Sequence, residues 1–446
     1  MKGEPYDAGC PKERFVLCGV LFPDQVVEHE GALTEARGLV EAAGGEVVGE
    51  GVIQRRDRPT AATLMGSGKV AEVLEEVQAH DADGVVVDND LTPAQGRNLE
   101  KVLGVRIIDR SELILDIFAR RARTAQARLQ VELAQTEYFL PRLKRMWTHL
   151  ERMEGSIGAR GPGETQLETD RRLIRKRISD LKAQLKLIEE RKRREVGSRS
   201  DEFTIGLVGY TNAGKSTLLN ALTGANEFAE DLLFATLDTR TRQWRLSDGR
   251  TALLSDTVGF LSRLPHHLVA SFHATLEETL HADLLLHVAD ASHSDAADQI
   301  SAVDDVLGTL SHGGQDTVLV FNKLDAVADQ IGLTWLRSGR DEDSLFLSAK
   351  TGEGLEDLDR LVRQRMDRRS VRIRVVVPLA DGRTIARLRE AAVVLSEEVT
   401  DSESALEMTL KIDSAALGNL RRRISSEFEI EIVEPAIEPR EPAGMD

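Results

Sequence analysis

Residues 203–223 read FTIGLVGYTNAGKSTLLNALT. The run FTIGLVG is apolar and strand-like. It gives way at Gly209 to a short polar turn, and then to KSTLLNAL, whose leucines recur at helical spacing. Gly209, Gly214, Lys215 and Ser216 fit the pattern G-x-x-x-x-G-K-[ST] between a strand and a helix. In that context backbone N–H groups from Gly209, Tyr210, Thr211, Asn212, Ala213 and Gly214 through to Thr217 turn inward around phosphate. Lys215 reaches the β- and γ-phosphates, and Ser216 offers its hydroxyl to Mg2+.

Three further motifs follow in order. DTVG (Asp256–Gly259) ends the apolar run TALLS, where Asp256 is placed to hold the magnesium shell and the Gly259 N–H to meet the γ-phosphate. NKLD (Asn322–Asp325) ends TVLVF. There Asp325 can accept from both N1–H and the 2-amino group of guanine, whereas adenine would leave the carboxylate unpaired. Asn322 and Lys323 belong to the same base site. SAK (Ser348, Ala349, Lys350) closes over the base O6 through backbone N–H. Thr236, in FATLD, lies between the phosphate loop and Asp256 and is the expected switch threonine for magnesium, with Thr239 and Thr241 as rivals. Lys215, Thr236 and Gly259 are thus expected to act on the reacting phosphate. The sequence implies GTP and GDP as ligands and GTP hydrolysis as the activity.

Phe260 follows Gly259, where many GTPases carry a glutamine that orients water. A phenyl ring cannot do this, so intrinsic hydrolysis should be slow and helped by a partner or another group. Asn212 is a candidate ligand for K+ beside the phosphates, supplying positive charge where the transition state is negative.

Outward from this centre, residues 203–367 alternate strands and helices as a doubly wound P-loop domain. Residues 371–434 give the order βαββαβ of a ferredoxin-like domain, and 435–446, with three prolines, read as a disordered tail. Residues 15–110 alternate short apolar runs with helical segments, as in a small parallel α/β domain. Residues 111–196 read as a helical hairpin. The pattern is helical from Ser111 to about Met146 except at Pro141, then glycine-rich at 153–166, then helical again over 167–196.

The chain has 446 residues and a net charge of −17. Residues 119–200 nevertheless hold 21 Lys and Arg against 11 Asp and Glu, a basic arm whose natural partner is phosphate. Two cysteines, no apolar run long enough for a bilayer and no signal-peptide pattern point to a cytoplasmic protein. GSGK (Gly66–Lys69) resembles a second phosphate loop but has Thr63 and Val70 at the flanking positions, so it reads as structural. His266–His267 lacks partners at ligand spacing, and Asp88 and Asp90 read as helix-capping carboxylates.

Together, MEGSIGARGPGETQLETDRRLI, FATLD, DTVGF and LPHHLVASF resemble the HflX family of ribosome-associated GTPases over about residues 15–370. The resemblance implies binding to the large (50S) ribosomal subunit and the splitting of stalled ribosomes. It also implies a hairpin loop, Gly155–Gln166, that reaches the peptidyl-transferase region. Arg160, Arg171, Arg172, Arg175, Lys176 and Arg177 are then placed to neutralise rRNA phosphates. Phe260 agrees with the family pattern, while Thr239 departs from it, since many members have proline there. A monomer without membrane insertion is expected. The competing readings are a ribosome-assembly GTPase acting on precursor large subunits and an RNA-binding nucleotide switch.

Overall fold

Strand β5 (Phe203–Gly209) is central because its residues can be buried on both faces, and all but Thr204 are. In this computed structural model the described residues are 12–23, 31–143, 162–197, 202–224, 240–256, 259–261, 282–293, 295–310, 315–327, 344–400, 404–413, 417, 420 and 430–434. They fall into two compact units.

The first unit carries a four-stranded, all-parallel sheet in the order β2-β1-β3-β4. Its strands are β1 (Arg14–Leu21), β2 (Glu46–Arg55), β3 (Gly84–Val87) and β4 (Arg106–Asp109), linked by α1 (Thr34–Ala42), α2 (Ser67–His80) and α3 (Pro93–Leu103). The four residues of β3 are fully buried, as a strand covered on both faces must be. Gly66 is the N-cap of α2 and its N–H donates to Gln54 Oε1 at 2.8 Å, while Lys69 pairs with Glu72. GSGK therefore serves as a helix start. Asp88 and Asp90 do not cap α3, contrary to the sequence reading. Thr92 does so, in a capping box with Gln95, while Asp88 pairs with Arg110 and Asp90 accepts from Ser111 Oγ.

Helix α4 (Arg110–Arg121) ends sooner than the sequence pattern suggests. Ala122 turns to an extended conformation, and Thr124 Oγ1 accepts from the Ala127 N–H at 3.1 Å, starting α5 (Ala125–Phe139) as a new helix. The long helix α6 (Pro162–Gly197) begins five residues before Leu167, with proline in its first turn, where a missing N–H costs nothing. Leu181 and Leu185 pack with Leu133 of α5, flanked by the ion pairs Arg177–Glu132 and Lys182–Glu137.

The second unit holds a six-stranded sheet in the order β10-β9-β8-β5-β7-β6. Its other strands are β6 (Arg240–Arg245), β7 (Thr251–Asp256), β8 (Leu284–Asp290), β9 (Thr317–Asn322) and β10 (Leu345–Phe346). Only the β6–β7 pair is antiparallel. Helices α7 (Lys215–Thr223), α8 (Ala296–Leu310) and α9 (Leu355–Arg369) belong to it. All seven residues of β8 are buried, each large aliphatic side chain contributing about 1.5–3 kcal/mol to folding.

Helix α9 runs directly into β11 (Ser370–Pro378), the first strand of a second sheet with α10 (Gly382–Ala391), β12 (Val393–Val399), β13 (Ala405–Asp413) and β14 (Ile430–Glu434). The order is β12-β13-β11-β14 with every neighbour antiparallel, as in the expected ferredoxin-like domain. Alternation along β11 buries Val371, Ile373, Val375 and Val377 in its core. Asp367 of α9 accepts from Arg250 at 2.8 Å and from Lys411 of β13 at 2.6 Å, tying the β6–β7 turn and the second sheet to one helix end. Among the described residues no helix is long and apolar enough to cross a membrane. The expected tail, 435–446, lies outside the described residues.

Candidate functional site

The six-stranded sheet reverses its strand order at β5, whose neighbours β7 and β8 continue to opposite sides, so the end of β5 opens at the topological switch point. Gly209 ends β5 with φ +148°, and a Cβ there would lie 2.1 Å from the Val288 carbonyl oxygen. Only glycine lets the loop leave that close. Asn212 adopts φ +61°, a conformation asparagine tolerates, and is exposed. Gly214 follows at φ +91°, and an added Cβ would meet Asn322 Nδ2 at 2.3 Å. Tyr210, Thr211 and Ala213 are buried, and the first turn of α7 carries Lys215, Ser216 and Thr217.

Lys215 folds back over its own loop. Its Nζ donates to the Gly209 carbonyl at 2.9 Å and the Tyr210 carbonyl at 2.7 Å. Burial pushes its pKa down to about 8, opposed by the nearby Asp256 carboxylate. Ser216 Oγ donates to Asp256 Oδ2 at 2.7 Å, although the two residues are 40 apart in sequence. A hydroxyl and a carboxylate side by side form a hard oxygen donor set that suits Mg2+.

At the neighbouring strand ends the base-site residues are also joined. Asn322 Nδ2 donates to the Ala213 carbonyl and its Oδ1 accepts from the Ala349 N–H, both at 2.9 Å, so one side chain ties the phosphate loop to SAK. Ser348 Oγ donates to Asp325 Oδ1 at 2.6 Å and holds that carboxyl below the usual carboxylate range, while Lys350 lies 3.7 Å from Oδ2. Lys323 stands at φ +64° and its Nζ is 2.8 Å from Asp290 Oδ2.

The sequence-predicted residues of the phosphate loop, Asp256, NKLD and SAK thus come together at one sheet edge. Phe260, next to Gly259, is buried. Thr236, Thr239, His266, His267 and Arg160 lie outside the described residues. On α6, Arg172, Arg175 and Lys176 are exposed and Arg171 is half-buried, while Arg177 is engaged with Glu132 at 2.6 Å. Asp290 and Ser292 carry no motif that marks them in the sequence. The signal that could have found them is an aspartate ending the strand next to the phosphate-loop strand.

The strand order, the glycine-bounded loop and the base-site motifs define a P-loop GTPase, an enzyme that binds and hydrolyses GTP. Comparison with known proteins narrows this. The family models described as GTP-binding GTPase N-terminal, GTP-binding GTPase middle region and 50S ribosome-binding GTPase match residues 30–119, 121–199 and 204–323. The GTPase HflX of Escherichia coli (strain K12) is 44% identical over 90% of this chain and 93% of its own length. That of Magnetococcus marinus is 46% identical over 82% and 84%. The chain belongs to the HflX family of GTPases. A solved structure, a GTP-binding protein from Sulfolobus solfataricus in complex with GDP, is similar at 23% identity and a TM-score of 0.42, covering 79% of this chain and 98% of that one.

Proposed function

We propose that this chain is a GTP-driven factor that binds the large ribosomal subunit through rRNA and splits or rescues stalled ribosomes, acting as a monomer in the cytoplasm. The observation that carries the reading is α6, a 36-residue helix with exposed Arg172, Arg175 and Lys176, which leads in sequence into the phosphate-loop strand β5. Helical rise gives it roughly 54 Å of reach, and cationic side chains on it suit RNA phosphates. The match of the central domain to the 50S ribosome-binding GTPase family, and the HflX relatives, support the same partner.

In this reading Gly209–Thr217 wrap the phosphates, and Lys215 exchanges its two carbonyl partners for phosphate oxygens. Ser216 and Asp256, joined by Thr236, would hold Mg2+, and the Gly259 N–H would meet the γ-phosphate. Bound Mg2+ supplies positive charge against the phosphate oxygens. Asn322 and Ala349 join the phosphate and base ends of the site. Asp325, with Ser348 and Lys350 around it, selects guanine. Phe260 carries no group that orients water, so the ribosome or another group would supply one, and K+ near Asn212 would add positive charge where the transition state is negative. GTP orders the switch segments, ribosome contact favours that ordered state, and hydrolysis releases the factor.

Deleting Gly155–Gln166 is expected to leave GTP binding intact and abolish splitting of 70S particles. Splitting that survives the deletion refutes the mechanism. Replacing K+ by Na+ is expected to slow turnover, and equal rates would remove Asn212 from the cation site. The assembly-factor alternative predicts preference for immature large subunits over mature ones.

A further inference from the structure

We infer that Asp290 is a positioning residue for guanine-nucleotide binding that acts through Lys323, and that Ser292 orients it. The inference rests on the guanine-site reading of NKLD given above.

Strand register brings the pair together. Asp290, the last residue of β8, is the Cα partner of Asn322, the last residue of β9, and the Ala291 N–H donates to the Asn322 carbonyl at 2.9 Å. The Asp290 side chain is largely buried and its two oxygens have separate partners. Oδ1 accepts from the Ser292 N–H at 2.9 Å and from Ser292 Oγ at 2.6 Å, which fixes the plane of the carboxylate. Oδ2 is then presented to Lys323 Nζ at 2.8 Å.

Lys323 needs such a partner. It sits at φ +64°, a conformation unfavourable for a residue with a Cβ, and its side chain keeps 29% of its exposure. Its Cε lies 4.0 Å from where a Cβ on Gly214 would be, so the apolar stem passes beside the phosphate loop on its way to Asp290. A stem fixed at both ends is a flat apolar wall against which a purine ring can lie. Without the carboxylate, the four-carbon chain regains its rotamers and the wall must be re-ordered on each binding event. GDP and GTP carry the same base, so the loss of a wall against that base should weaken both by the same factor.

The test is a double-mutant cycle on the full chain, with dissociation constants for fluorescent GDP and GTP analogues measured in Mg2+ buffer. Asp290→Asn is expected to weaken both nucleotides about ten-fold, the scale of one charge-assisted hydrogen bond. Lys323→Ala should weaken them at least as much, and the double variant should be within about two-fold of Lys323→Ala. Asp290→Glu, which keeps the charge, should recover part of the loss, and Asp290→Ala replaces Asp290→Asn in the cycle if the latter does not fold. Ser292→Ala should give a smaller loss of the same kind. Binding by Asp290→Asn within about two-fold of the parent overturns the inference, as does a double variant that loses the product of the two single effects. If Lys323→Ala itself binds normally, the guanine-site reading falls and the inference falls with it. If Lys323→Ala weakens binding and Asp290→Asn does not, only the inference falls.

Discussion

The four-stranded sheet and the six-stranded sheet, parallel except at β6, both gather charged residues at their carboxyl ends, and they use them in opposite ways. At the end of the four-stranded sheet, Arg110 is 2% exposed and its guanidinium donates to Asp88 and Glu35. Asp109, at the end of β4, accepts from Tyr138 and Arg142, and Arg142 also caps the Leu91 carbonyl at 2.7 Å and lies over the Tyr138 ring. Those charges are satisfied by one another. At the end of the six-stranded sheet the polar groups are held by partners that a nucleotide can replace. Lys215 rests on two backbone carbonyls, Ser216 on Asp256, and Asp325 on a serine hydroxyl. A polar sheet edge is therefore not in itself a ligand site; the exchangeability of its partners distinguishes the two.

The largest expected effect breaks the closed network. Arg110→Ala leaves two carboxylates without their buried partner and should cost the first unit about 3–5 kcal/mol, read as a fall in its urea midpoint with GDP affinity unchanged. A loss of GDP affinity without loss of stability would make that edge a second ligand site. Next comes Gly214→Ala, whose added methyl collides with Asn322. Nucleotide affinity should fall by roughly a hundred-fold or more, equivalent to about 2.7 kcal/mol, measured by equilibrium binding.

The exchangeable lysine gives a pH signature. Burial puts the pKa of Lys215 at about 8 in the free protein, and phosphate would keep it protonated. Binding then takes up a proton above pH 8, and GDP affinity should fall as pH rises through that value, by at most about ten-fold per unit. Calorimetry in buffers of different ionisation enthalpy measures the uptake. The sign for folding is the reverse: the depressed lysine costs stability below pH 8, and that cost is relieved between pH 8 and its unfolded value near 10.5. The smallest effect is Arg177→Ala. The pair with Glu132 is about half exposed on both sides, so stability should change by less than about 1 kcal/mol. For the proposed contact of α6 with rRNA, removing the exposed Arg172 should lower the slope of log K against log salt by about one.

The phosphate loop, NKLD and SAK are legible in the sequence because each is a short segment at the end of a strand, the first also bounded by its own glycines. The C-terminal sheet is legible for a similar reason, since strict alternation along β11 specifies its buried face. Pairings between distant segments are not. Asp290 meets Lys323, and Arg110 meets Asp88, only once strand register is set. The break at Thr124 is hidden because no glycine or proline marks it, and a threonine N-cap inside a helical pattern is a weak signal. The early start of α6 is hidden for the opposite reason, since the glycines around Pro162 read as loop.

Whether the ribosome completes this GTPase is read from GTP turnover by the purified chain with and without purified 50S subunits in potassium buffer. Stimulation of about ten-fold or more is expected, because Phe260 stands where many GTPases carry a water-orienting glutamine. Equal turnover with and without subunits, with GTP binding intact, would contradict it.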